Sequence, residues 1–177
     1  MEKSQIRQEI INMRKTLSKE FIKKASESIL KKAQSILPVD KLIFIYVSMQ
    51  GEVDTASFLK EYKRVCVPRC EKGKIMEAVT GFSSLKKSPF GVEEPVDGYS
   101  VDDIYGAIIP GLAFTENMDR IGFGAGYYDR FLNKHGGIKK VAVCFDFQIR
   151  DDFSSEPHDV KMDYIVTEKR IIKGNWL

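Results

Sequence analysis

From Arg120 to Arg130 the chain reads Arg-Ile-Gly-Phe-Gly-Ala-Gly-Tyr-Tyr-Asp-Arg, which brings anion donors, aromatic faces and a carboxylate into one short stretch. Glycines at 122, 124 and 126 leave backbone N–H groups uncovered and permit positive φ. A helix beginning at the last glycine adds free N–H groups and the positive end of its dipole, so the turn can wrap a phosphate. A glycine-rich loop without a ligand fits the spacing equally well. The neighbours tip the balance. Arg120 precedes the glycines, Tyr127 and Tyr128 follow them, and Asp129 stands in the first helical turn, where it can ligate a metal. The common nucleotide signatures do not apply. G-x-x-x-x-G-K-[ST] is absent, and a Rossmann turn needs glycine where Tyr127 sits and belongs after the first strand.

Three more sets of residues carry chemistry. Lys3, Arg7 and Arg14, spaced by four and seven, lie close to one helical stripe beside an apolar stripe of Ile6, Ile10, Met13 and Leu17. A helix buried by that apolar stripe holds Lys3 and Arg7 at the edge of the core, within reach of an anion. Arginine offers a planar fork there and lysine a point charge. Glu52 follows the first strand, where ligands collect in open α/β sheets, although a loop surface charge is the simpler reading. Asp159, in Glu156-Pro157-His158-Asp159, reads by itself as a turn residue.

Taken together, Pro110-Gly111-Leu112-Ala113-Phe114 and the run Arg120 to Leu132 resemble the signature of the 5-formyltetrahydrofolate cyclo-ligase family. Lys3-x-x-x-Arg7, Met49 to Thr55, Val67-Pro68-Arg69, Phe90 to Pro95 and Asp159 to Thr167 look like further family blocks in family order, so the resemblance spans essentially the whole chain. It implies ATP- and Mg²⁺-dependent conversion of 5-formyltetrahydrofolate to 5,10-methenyltetrahydrofolate, with ADP and phosphate released through a phosphorylated formyl intermediate. It also implies a three-layer αβα sandwich around a mostly parallel sheet, similar to the isomerase and CoA-transferase fold. Carried over residue by residue, it assigns catalysis to Arg120 and Tyr127. ATP contacts fall to Lys3, Arg7, Arg120, Gly122, Gly124, Ala125, Gly126, Tyr128 and Gln148. Folate contacts fall to Val47, Glu52, Phe123 and Tyr127, and Mg²⁺ to Asp129 and Asp159; Phe90 either stacks on the flat folate ring or anchors its own loop. One position departs from the pattern: many members carry lysine where this chain has Ala125, which leaves more of the phosphate charge to Lys3, Arg7 and Arg120.

These residues need elements to hold them. A second helix begins at Ser18, a good N-cap, with Glu20 in its first turn, and ends at Pro38. Lys41 to Val47 reads as a central strand, Thr55 to Tyr62 as a helix and Arg64 to Val67 as the next strand. That is a βαβ unit with parallel strands and a right-handed crossover. Residues 71 to 103 are barely legible beyond a strand over Lys74 to Val79. A strand over Tyr105 to Ile109 delivers the chain to the glycine stretch, and a helix from Ala125 to Lys134 leaves it, stopped by Gly136-Gly137 with His135 suiting the dipole. Strands over Lys139 to Phe145 and Asp163 to Thr167 follow, and Lys169 to Leu177 reads as a tail.

The 177 residues are expected to form one domain, with 43% hydrophobic and 30% charged residues typical of a soluble globular chain. The longest apolar run, Leu42 to Val47, is six residues, and nothing resembles a signal peptide or membrane span. Cys66, Cys70 and Cys144 make no compact metal pattern, so free thiols and a cytoplasmic setting are expected. Net charge is +3, but residues 1–32 hold nine Lys/Arg against four Glu, a local +5 that leaves about −2 for the remainder. A nucleic-acid role for this basic helix lacks aromatic interleaving or a recognised motif. A sugar-phosphate isomerase or CoA-transferase relative is the rival among enzymes, because fold does not fix function. The expected partners are small-molecule substrates, with no nucleic acid or membrane, on a monomer or weak homodimer.

Overall fold

Apolar residues on both faces of each short strand call for helices on both sides, and the computed structural model supplies them. It describes residues 2–71, 73, 75–89, 91–154, 156 and 159–177. At the centre, β1 (Leu42–Ile45) pairs in parallel with β2 (Arg64–Glu71) on one side and β7 (Gly106–Ile109) on the other. β10 (Lys139–Val143) and β11 (Tyr164–Val166) continue in parallel beyond β7. Antiparallel strands finish both edges: β12 (Ile171–Lys173) against β11, then β3 (Ile75–Thr80) and β6 (Tyr99–Ser100) beyond β2. The order is β12-β11-β10-β7-β1-β2-β3-β6, a mixed, mostly parallel sheet within an α/β fold.

Side-chain alternation assigns the layers. Ile43 and Ile45 of β1, Ile108 of β7, and Val141 and Val143 of β10 pack with Ala25, Ile29, Ala33 and Phe58. These last come from α2 (Lys19–Gln34) and α3 (Ala56–Glu61). Phe44, Ala107, Ile109, Ala142 and Cys144, one residue out of phase, face Phe131 and Leu132 of α4 (Tyr127–Lys134). Ser18 caps α2 as its type demands, its hydroxyl accepting from the Phe21 N–H at 3.1 Å.

α1 (Lys3–Lys15) stands outside both layers. Ile6 and Ile10 pack on Leu112, Ala113 and Ile121, around the hairpin of β8 (Ala113–Phe114) and β9 (Arg120–Ile121). The buried stripe departs from the sequence expectation. Met13 is exposed and Arg14, four residues beyond Ile10, is buried in its place. Two further expectations change. The stretch taken as a tail contributes β12, and the region after Glu71, where β3 meets the one expected strand, adds β6 and a separate antiparallel ribbon of β4 (Leu85–Lys87) with β5 (Glu93–Pro95). These strands are short and pair with near neighbours across turns, β3 with β2, β12 with β11 and β4 with β5, and runs of two to six residues carry little periodic signal. Among the described residues, no helix is long and apolar enough to cross a membrane.

Candidate active site

The chain leaves β1 toward α3 and β2 on one side of the sheet, but leaves β7 toward α4, β10 and β11 on the other. β1 and β7 are neighbours, so strand order reverses between them and opens a crevice beyond their C-terminal ends. Tyr46, Val47 and Glu52 follow β1 there, and Pro110 and Gly111 follow β7. A cavity of about 820 Å³ occupies this position, at the large end of the range for small-molecule sites.

One end of it is the glycine loop. Gly124 (φ +101°) and Gly126 (φ +71°) use the left-handed region, and Gly126 is the N-cap of α4. Arg7 crosses from α1 and donates Nε–H to the Gly122 carbonyl at 2.9 Å. Arg120 is buried beneath the loop, its Nη2 3.1 Å from both oxygens of Asp129 and its guanidinium 5.6 Å from the Tyr128 ring centre. Lys3 reaches Asp159 at 2.9 Å and Glu156 at 3.0 Å. Burial would lower the Lys3 ammonium, but hydrogen bonds to these two carboxylates outweigh it and hold the group above its ordinary value. Lys3, Arg7, Arg120, Asp129 and Asp159 all line the one cavity, as do residues 122 to 128 of the loop and helix start.

Glu52 lies at the other end. It is 4% exposed, so the surface-charge alternative fails. Its Oε2 accepts from the Met49 N–H at 2.8 Å, and its Oε1 lies 3.6 Å from Nη1 of Arg14. Burial pushes the carboxyl above the usual range, while the Met49 amide and the Arg14 charge pull it back. The Tyr46 and Tyr128 hydroxyls beside it are also held well up, burial being the main cause in each. Val47 and the half-exposed Phe123 are further wall residues. So are Pro68 and Cys70 of β2, Met76 of β3 and Glu94 of β5, which were not expected in the site because nothing local shows that the β2–β3 hairpin and β5 reach this cavity.

Gln148 has a different place from the one expected. It is fully buried away from the cavity wall. Its Nε2 donates to the Gly111 and Leu112 carbonyls at 3.0 and 2.8 Å, and its Oε1 accepts from the Phe145 N–H at 3.0 Å. Both of its side-chain polar atoms are thus spent on backbone groups. Phe90, a candidate folate contact, lies outside the described residues.

Asp129 and Asp159 come from separate segments, joined where the Val160 N–H approaches Asp129 Oδ1 at 3.5 Å. Among the described residues, no group of three or more His, Cys, Asp or Glu could hold a metal by itself. Two carboxylates on the wall of one cavity do suit Mg²⁺, which takes few protein ligands and completes its shell with water and phosphate oxygens.

Residues 1–168 match the family model described as the 5-formyltetrahydrofolate cyclo-ligase family. A probable 5-formyltetrahydrofolate cyclo-ligase of Schizosaccharomyces pombe is 31% identical over 160 residues, 76% of this chain and 78% of that protein. The NMR structure of Aquifex aeolicus 5,10-methenyltetrahydrofolate synthetase superposes with a TM-score of 0.86 at 31% identity, covering 99% of this chain and 94% of that one. The Mycoplasma pneumoniae 5,10-methenyltetrahydrofolate synthetase, at 24% identity and a TM-score of 0.78, covers 95% of this chain and 99% of that one and shares the fold.

Proposed function

This chain belongs to the 5-formyltetrahydrofolate cyclo-ligase family, and on that premise we propose that it closes 5-formyltetrahydrofolate to 5,10-methenyltetrahydrofolate with ATP as the energy source. The observation that carries this reading is one cavity with a glycine loop flanked by Arg7 and Arg120 at one end and a buried carboxylate at the other.

A formyl group on nitrogen is amide-like, so its carbon is a poor electrophile and its oxygen a poor leaving group. Phosphorylation cures both. The formyl oxygen attacks the γ-phosphorus of ATP, forming a C–O–P link as the bond to the bridging oxygen breaks and ADP leaves with that electron pair. The neighbouring chain nitrogen then adds to the activated carbon and loses its proton, and phosphate departs with the C–O pair. The five-membered methenyl ring remains. No general base or protein nucleophile is needed, because alignment of two bound reactants and neutralisation of moving phosphate charge carry the barrier reduction.

Lys3, Arg7 and Arg120 neutralise the phosphate oxygens together with the loop amides around Gly122, Gly124, Ala125 and Gly126. Tyr127 lies between the two reactants, and Tyr128 packs over Arg120. Glu52, Val47 and Phe123 hold the pterin. The carboxylate accepts from the ring's amino and N–H donors, as an acceptor-only ionised group does. Asp129 and Asp159 would hold Mg²⁺, which would supply further neutralisation of phosphate charge. Before substrates bind, the same carboxylates pair with Arg120 and Lys3, which keeps both signs of charge compensated in the free enzyme.

The test is ultraviolet absorbance of the protein with 5-formyltetrahydrofolate, with and without Mg-ATP. We expect the methenyl spectrum to grow only with nucleotide, matched by equimolar ADP. Product without ATP, or ATP consumed without product, rejects the reading.

A further inference from the structure

We infer that Arg14 is a positioning residue of the pterin end of the cavity: its guanidinium fork ties Glu52 to the end of β7 and holds the carboxylate aimed into the site. This rests on the reading that Glu52 binds the pterin.

Arg14 is 8% exposed and Glu52 is 4% exposed, a buried cation facing a buried anion. One arm of the fork, Nη2, donates to the Gly111 carbonyl, and the other, Nη1, lies 3.6 Å from Glu52 Oε1. Gln148 donates to that same Gly111 carbonyl at 3.0 Å, so the acceptor is fixed from two sides. The turn carrying Glu52 also rests on Arg14. Gly51 has φ +82°, and a Cβ there would meet the Arg14 Cβ at 3.0 Å. β1 and β7 thus have their C-terminal ends joined through one side chain of α1, the helix that sends Lys3 and Arg7 to the phosphate end.

Packing alone does not call for arginine at this position. Nε of Arg14 is buried with no hydrogen-bond partner among the described residues, and an apolar side chain of similar volume would avoid that cost. What arginine adds is charge and a fixed fork. The charge matters because Glu52 is desolvated and must stay ionised to accept two donors from a pterin. The groups facing Glu52 are Arg14 from α1, the Tyr46 hydroxyl after β1 and the Tyr128 hydroxyl of α4, and Arg14 is the cation among them. Without it, Glu52 takes up a proton at higher pH.

The experiment compares Arg14→Met, Arg14→Lys and Glu52→Gln in steady-state kinetics, varying each substrate across pH. Arg14→Met should raise KM for 5-formyltetrahydrofolate about tenfold or more, leave KM for ATP within about twofold, and move the acid limb of kcat/KM for the folate to higher pH. Arg14→Lys keeps the charge but loses the fork. It should retain the wild-type acid limb while still raising the folate KM. A purely structural role would change both KM values together and leave the acid limb in place. A wild-type folate KM in Arg14→Lys overturns the proposal even if Arg14→Met fails to fold. Unchanged folate kinetics in Glu52→Gln would instead overturn the reading of Glu52 itself. An impaired Glu52→Gln beside an unshifted Arg14→Met overturns only the role of Arg14.

Discussion

Arg120 shows how one side chain joins several jobs that the sequence presents separately. It is buried, braces both oxygens of Asp129, and lies against the Tyr128 ring, while one Nη approaches the Pro110 carbonyl at 3.4 Å. A charge so placed costs little reorganisation when phosphate charge develops nearby. Arg120→Ala should therefore lower kcat/KM by about 10²-fold or more, the usual scale for losing a preorganised charge donor. Steady-state kinetics check this, and a near wild-type value contradicts the charge assignment. Arg120 was legible because it stands in the glycine signature. Glu52 was legible by resemblance alone, since a carboxylate in a loop gives no sign that the loop folds inward. Gln148 lies elsewhere than expected for the opposite reason. A glutamine at a strand end looks available, and only the folded chain shows the Gly111 and Leu112 carbonyls waiting for it. Arg14 was noticed for its spacing, but its partners lie 97 residues away at Gly111 and on the Glu52 turn, where no local pattern points.

Among the elements, the glycine turn and α4 read most directly from sequence, because cap and turn positions demand particular residue types. Gly126 sits at φ +71°, and a Cβ there would come within 2.9 Å of Arg130 Nη1. Placing alanine in left-handed backbone costs roughly 1–2 kcal/mol, so Gly126→Ala should deform the loop rather than accept the strain. The expected result is a rise of about tenfold in KM for ATP with a smaller change for the folate, read from initial rates. The C-terminal element was hidden, since β12 is three residues long and its pairing depends on the turn before it. That turn is tied by Asp146, which accepts from Thr167 Oγ1 at 3.0 Å and Arg170 Nε at 3.1 Å. Burial pushes the Asp146 carboxyl up, but these hydrogen bonds and the Arg170 charge outweigh it and leave it below the usual range. A carboxyl lowered in the folded state adds stability above its unfolded value near ~3.9 and loses it as pH falls through the folded value. Asp146→Asn should therefore melt earlier at pH near ~7, by roughly 2–4 °C for each kcal/mol lost, and converge with wild type in acid. A constant gap across pH would show that the carboxylate charge is not what ties the turn.

At the scale of the whole molecule, the sheet order places the site. Parallel strands on both sides of the β1–β7 boundary send their connections opposite ways, and the crevice this leaves receives the glycine loop from one half and the Glu52 turn from the other. The central βαβ unit was readable from apolar runs and breakers. Apart from the strand at β3, the antiparallel additions that complete the cavity wall were not, because nothing local in Pro68, Cys70 or Met76 shows that the β2–β3 hairpin lines the same cavity as the loop. The proposed function puts both reactants in one cavity and so makes a specific demand on the chemistry: under it, the formyl oxygen must meet the terminal phosphorus directly. The most direct test is to supply 5-formyltetrahydrofolate carrying a heavy-oxygen label in the formyl group, with unlabelled Mg-ATP, and weigh the released phosphate by mass spectrometry. Transfer of one labelled oxygen into each phosphate is the predicted result. Phosphate free of label, alongside normal methenyl product, would contradict it.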